Sequence, residues 1–204
     1  MKIIQALWFN HTKNEINYSA DWLDVRYHLM SWALSILSLK KYSNPVELLT
    51  DSIGCDLLID KLVLPYSNVN LVFDSFENSS ANKFWALKKI YSYSIHNEPF
   101  VFVDGDVFNF NPGLVKKKEL VSQNFGNNFM FYQPVQLAIK KECTINDYID
   151  NIQLDAVNTG VVGGTNFDFF KNFKDEVFDF VEKNKKSLLK VIDEYHIETK
   201  YINV

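Results

Sequence analysis

Asp104 and Asp106 flank a single glycine at the end of the apolar run Phe100–Val103, within the stretch EPFVFVDGDVFNFNPG. Side chains two apart on an extended backbone point the same way, so an extended reading gathers both carboxylates in one small region. Two carboxylates roughly 5 Å apart repel by about 3 kcal/mol at an effective dielectric near 20. A divalent cation reverses that sign and holds both groups ionised. Carboxylate oxygens are hard ligands, and they suit Mg²⁺ or Mn²⁺. Gly105 between them lets a ligand approach the backbone and permits an unusual φ/ψ. The competing reading is a solvated turn, since a chain this long holds about one D-x-D by chance.

The elements that must position this pair follow from periodicity. Ile3–Phe9 is short, apolar and β-prone. From Ala20 to Lys41, the residues Trp22, Val25, Leu29, Trp32, Ile36 and Leu39 recur at helical steps. Pro45–Thr50 reads as a second strand, and Asp51 is placed to cap a helix running to about Leu62. Val69–Phe73 reads as a third strand. Ser79, Ser80 and Asn82 open a helix with Phe84, Leu87, Tyr91 and Ile95 on one face. Phe100–Val103 is the next strand, and Glu119–Phe125 is a weaker one. Asp155–Gly164 reads as a loop entering a short buried strand. Asn166–Lys183 reads as a helix with Phe170, Phe173, Val177 and Val181 on one side. Strands alternating with helices imply βα units, an α/β fold and a mostly parallel central sheet flanked by helices. Such sheets bind ligands outside the carboxyl ends of their strands, where Asp104 and Asp106 stand.

Composition bounds the rest. The chain has 204 residues and is 47% hydrophobic, enough for a sizeable core and one domain. Its formal net charge of −4 and the lack of a basic tract interleaved with aromatics exclude nucleic acid as an expected partner. Lys116-Lys117-Lys118 reads as a solvated face. Cys55 and Cys143 form no metal-ligating spacing and read as free thiols in a reducing compartment. No signal peptide and no transmembrane segment is evident, so a cytoplasmic location is expected. The four histidines, His11, His28, His96 and His196, have no metal spacing. No nucleophile elbow, Walker A or G-x-G-x-x-G sequence is present.

Two other metal readings fail on detail. The haloacid dehalogenase phosphatases carry a D-x-D on their first strand, with Thr or Val where this chain has Phe108. An EF-hand loop counted from Asp104 would need Gly and Glu where Asn109 and Val115 stand. Several segments together resemble instead a glycosyltransferase of the GT-A fold. FVFVDGDVF is similar to its D-x-D segment and KFWALKKIYSY (Lys83–Tyr93) to the helix before it. VELLTD (Val46–Asp51) is similar to its second strand and DAVNTGVVGG to its acceptor-side loop. The resemblance covers residues 1–185 and extends to a bacterial group with a D-G-D motif.

The resemblance implies a Rossmann-like nucleotide-sugar-binding half, residues 1–110, and an acceptor-side half, residues 111–204, short or truncated at its C-terminal end. It implies a metal-dependent transferase whose donor is a nucleotide-diphosphate sugar, most often a UDP-sugar. The acceptor would be a glycan, lipid or protein of unspecified kind. Asp104 and Asp106 would hold Mn²⁺ or Mg²⁺ on the diphosphate, with Gly105 between them. Ala6, Leu7, Trp8, Thr50 and Asp51 would line the base and ribose. Trp85 and Lys88 would face the donor, against core and surface roles respectively. Asn158, Thr159 and Gly160 would approach the transferred sugar, against an ordinary turn. Asp155 and Asn158 are the candidate catalytic residues. Asp155 would be the base of an inverting enzyme, but the reading leans to retention, with the leaving phosphate assisting the acceptor. His196 lacks the flanking pattern of the family's third metal ligand. A non-catalytic nucleotide-sugar binder, and a nucleotidyltransferase or phosphatase with paired aspartates, stand as alternatives.

Overall fold

The computed structural model describes residues 1–9, 22–42, 45–76, 80, 84–110, 118–126, 137–144 and 156–195. Its elements are β1 (Lys2–Leu7), α1 (Val25–Tyr42), β2 (Val46–Thr50), α2 (Ser52–Cys55), a π-helical turn (Asp56–Lys61), β3 (Asn68–Asn70), α3 (Ala86–Ser94), β4 (Phe100–Val103), β5 (Leu120–Gly126), β6 (Ala156–Gly164) and α4 (Phe167–Tyr195). Residues 137–142 are also helical. No described helix is long and apolar enough to cross a membrane.

The strands form one sheet in the order β3-β2-β1-β4-β6-β5. β1 runs parallel to β2 and β4, and β2 runs parallel to β3. β4 and β6 are antiparallel, with Val101 opposite Gly163 and Val103 opposite Val161. The sheet is therefore mixed: the parallel expectation holds for β1 to β4 and fails where β6 joins. Gly163 and Gly164 permit the close packing of β6. A Cβ on Gly163 would sit 2.2 Å from the Phe100 carbonyl oxygen, and Gly164 has φ +149° with the Glu119 carbonyl as close. Only glycines let the β6 backbone lie this close to Phe100 at Gly163 and to Glu119 at Gly164.

The chain divides into two compact units. One comprises Met1–Glu77, His96–Ser122 and Thr159–Phe167; the other comprises Asn78–Ile95, Gln123–Asn158 and Asp168–Val204. In the first, β1, β2 and β4 are apolar runs buried on both faces, as central parallel strands are. Ile36 and Leu39 of α1 pack on Ile3, Val46, Val101, Val103 and Val161. Trp32 packs with Phe9, Leu48, Leu57 and Leu58. Burying one such side chain contributes about 1.5–3 kcal/mol. Glu47 is buried within β2 because Lys2 ion-pairs with one of its oxygens and Asn68 donates to the other at 3.2 Å. In the second unit, α4 buries Phe170, Val177, Val181, Leu188 and Val191 at helical steps. The Tyr93 and Phe170 rings meet edge-on at 6.1 Å. Asn184 caps the helical 137–142 segment by accepting from the Thr144 N–H at 2.7 Å and donating to its carbonyl at 3.1 Å.

Val63 follows the π-helical turn with φ 51°. Leu64 N–H donates back to the Leu58 carbonyl at 2.9 Å, so Val63 occupies the left-handed position that closes a helix end. A β-branched residue is strained there, and this one is 76% exposed, so it gains little packing in return. Val63→Gly is expected to stabilise the protein by about 1 kcal/mol and to raise Tm by a few degrees. A thermal melt that shows no rise or a fall refutes that strain.

Candidate functional site

The strand order reverses between β1 and β4: β2 and β3 extend the sheet on one side of β1, and β4 lies on the other. The carboxyl edge at such a reversal is the place where α/β sheets bind ligands. β1 brings Ala6, Leu7 and then Trp8 to this edge. β2 brings Thr50 and Asp51, with Thr50 opposite Leu7. β4 brings Asp104–Asp106. β6 runs the other way, so Thr159 and Gly160 arrive beside the carboxyl end of β4.

The Asp104 N–H donates to the Gly160 carbonyl at 2.8 Å. The Val107 N–H donates to the Asp104 carbonyl at 3.1 Å, which closes a four-residue turn over Asp104-Gly105-Asp106-Val107. The carboxylates therefore stand at the first and third positions of a turn, not on one side of an extended strand. Asp104 is half-buried and Asp106 is exposed. Gly105 is buried, and φ is not positive there. Its reason is packing: a Cβ would lie 2.2 Å from Cε2 of the Trp32 indole. Trp32 in turn donates from Nε1 to Nε2 of His28 at 3.0 Å, which requires that imidazole nitrogen to be unprotonated.

A buried polar network holds this turn from below. Ser35 donates to the Val107 carbonyl at 2.6 Å and accepts from Gln5 Nε2 at 2.9 Å. The same Gln5 amide reaches the Asp104 carbonyl at 3.3 Å, and its Oε1 accepts from the Tyr66 hydroxyl at 2.8 Å. Burial pushes the Tyr66 hydroxyl well above its ordinary pKa, so it remains a donor. Ser38 accepts from the Asn109 N–H at 2.9 Å. Gln5 and Ser35 are fully buried, so losing either partner strands polar groups out of water. The sequence reading missed these residues. The signal was present as Ser31, Ser35 and Ser38 on the buried stripe of an apolar helix, where hydroxyls need partners.

Asp51 has a structural task. It is 1% exposed, and its carboxylate accepts from the Phe9 N–H at 2.6 Å and from the Gly54 N–H at 2.8 Å. It caps α2 as its position suggested, and it ties down the chain leaving β1. Both oxygens are taken up by backbone, so the expectation that it lines a ribose does not fit. Asp51→Ala leaves a buried N–H unpaired and removes a cap, so a loss of about 2–4 kcal/mol is expected in urea unfolding. Thr50 is fully buried, with its Oγ1 packed against Gly54. Trp8 is half-buried, its ring 5.4 Å from that of Phe73.

Asn158, Thr159 and Gly160 belong to strand β6, which corrects the loop expected there. Asn158 and Thr159 are exposed and Gly160 is buried. Trp85 and Lys88 belong to the second unit, at the start of α3. Lys88 is 2% exposed, so it is not a surface lysine, and Lys89 Nζ lies 5.9 Å from the Trp85 ring centroid. Asp155 and His196 lie outside the described residues.

Among the described residues, no group of three or more His, Cys, Asp or Glu side chains gathers. A cation on Asp104 and Asp106 would thus complete its shell with water and ligand oxygens, as Mg²⁺ commonly does. The donor set fits a hard divalent ion in that manner. No curated protein matches the chain. The family model described as a family of unknown function (DUF6734) matches residues 1–202, and the chain belongs to that family.

Proposed function

We propose that the protein is a metal-dependent glycosyltransferase that takes its sugar from a nucleotide diphosphate, a UDP-sugar first among the candidates. The observation that carries this reading is the Asp104-Gly105-Asp106 turn at the strand-order reversal, joined by a backbone hydrogen bond to Gly160 of β6. Diphosphate and metal belong at the carboxyl edge of such a sheet, at the strand-order reversal between β1 and β4. Asp104 and Asp106 would hold Mn²⁺ or Mg²⁺, which when bound offsets charge on the departing diphosphate. The partly exposed Trp8 indole offers a face for a base, and Thr159 is an exposed polar group for a sugar or acceptor.

Titration calorimetry with UDP, with and without Mn²⁺, tests the reading. Metal-dependent binding is expected. No binding of any nucleoside diphosphate under either condition sinks it. Slow hydrolysis of a UDP-sugar separates the enzyme from a non-catalytic binder. Release of phosphate from a phosphomonoester points instead to a phosphatase.

A further inference from the structure

Strand β1 is apolar at every inner position but one. Gln5 stands between Ile4 and Ala6 and is fully buried. In a core the informative residue is the polar one. A buried amide costs free energy unless its groups find partners, and an apolar side chain would fill this place without that cost. Each polar atom of Gln5 is partnered. Its Nε2 donates to Ser35 Oγ at 2.9 Å and reaches the Asp104 carbonyl at 3.3 Å, and its Oε1 accepts from the Tyr66 hydroxyl at 2.8 Å.

The direction of each bond follows from the groups. A carbonyl only accepts, so Asp104 must face the amide nitrogen, and Oε1 is left toward the Tyr66 hydroxyl. Ser35 accepts from Gln5, so its own proton goes to the Val107 carbonyl at 2.6 Å. A chain of donors thus runs from Tyr66 through Gln5 and Ser35 to both ends of the Asp104–Val107 turn. Its far end is fixed. The Tyr66 ring packs against the cluster around Ile3 and Val46 and against the one around Leu48 and Trp32. The next N–H, that of Ser67, donates to the Val46 carbonyl at 2.8 Å. Ser38 holds the chain beyond the turn, donating to the Ser35 carbonyl at 2.8 Å and accepting from the Asn109 N–H at 2.9 Å.

We infer that Gln5, with Ser35 and Tyr66, is a positioning residue for a divalent cation on Asp104 and Asp106, an inference that rests on the cation reading of that turn. The three side chains act on backbone. Asp104 is tied on both sides: its N–H donates to Gly160 at 2.8 Å, and its carbonyl receives the Val107 N–H and the Gln5 amide. A ligand group held in this way has less freedom to lose when an ion binds. Stability alone does not call for such a network, because replacing all its members together by apolar groups of similar shape is close to neutral.

That contrast separates holding the turn from holding the fold. Gln5→Leu, Ser35→Ala and Tyr66→Phe combined remove the whole network. The triple variant is expected to melt within a few degrees of the wild type. It is expected to melt above Gln5→Leu alone, which strands the Tyr66 hydroxyl. Its affinity for Mn²⁺ alone, read by electron paramagnetic resonance of the free ion, is expected to fall at least about tenfold. Exchange of the Val107 amide hydrogen, which closes the turn, is expected to quicken at least about tenfold. Ile36→Val, a change in the neighbouring core outside the network, is expected to alter neither. A triple variant that keeps the wild-type value of either readout overturns this inference alone. So does one that melts far below the wild type, or an Ile36→Val that shows the same losses. A wild type that binds no Mn²⁺ sinks the cation reading, and this inference falls with it.

Discussion

Asp106→Asn is expected to lower Mn²⁺-dependent UDP affinity by at least about 100-fold, or about 2.7 kcal/mol, with no loss of stability. The two halves of this expectation have one cause. Asn keeps the shape of Asp and removes its charge, and Asp106 is exposed, so no packing is lost. In the metal-free protein the change relieves repulsion with Asp104. Solvent screens that repulsion to a few tenths of a kcal/mol, so the gain in Tm is small. With the metal the sign reverses, because one of only two described carboxylates at the turn is gone. A ligand that binds the folded state alone raises Tm, so Mn²⁺ is expected to stabilise the wild type and not the variant. Calorimetry and melts with and without Mn²⁺ measure both. A variant that keeps metal-dependent binding, or that melts several degrees lower without metal, would show the aspartate to be structural.

The strands that carry the candidate site were legible as runs of apolar residues. Phe100–Val103 and Val46–Thr50 needed only composition and length, because strands buried on both faces do not alternate. The D-G-D turn was legible as a pair of like charges at a strand end. What surrounds it was not. Gln5 sits inside an apolar strand, and nothing local says that its amide reaches Ser35 and the Asp104 carbonyl. Ser35 and Val107 are joined by tertiary folding, not by sequence proximity. The first part of β6 was misread as a loop for a related reason. Ala156–Gly160 carries turn formers, yet it continues as one strand into Val161–Gly164, which pairs with β4, a partner remote in sequence. Asp51 was legible as a cap because an N-cap is a local pattern. Its second bond, to the Phe9 N–H, is not local.

The glycine of the D-G-D turn gives the sharpest test of how the site is held. Gly105→Ala is expected to destabilise the protein by about 2–3 kcal/mol and to abolish metal-dependent UDP binding with it. The new Cβ would lie 2.2 Å from Cε2 and 2.5 Å from Cδ2 and Cζ2 of Trp32. That ring cannot retreat. It is 5% exposed, packed with Leu48, Leu57 and Leu58, and its N–H is held by His28. The turn must therefore move, and the hydrogen bonds from Gln5 and Ser35 and to Gly160 go with it. A double-mutant cycle with Trp32→Leu isolates the cause. Trp32→Leu alone leaves a cavity and costs about 2–4 kcal/mol. If the indole is what excludes the Cβ, the double variant is expected to be more stable than the sum of the singles predicts, by at least about 1 kcal/mol. Additive effects in urea unfolding would mean that the glycine serves its own backbone conformation instead. The φ at Gly105 argues against that, because it lies outside the left-handed region that only glycine occupies easily.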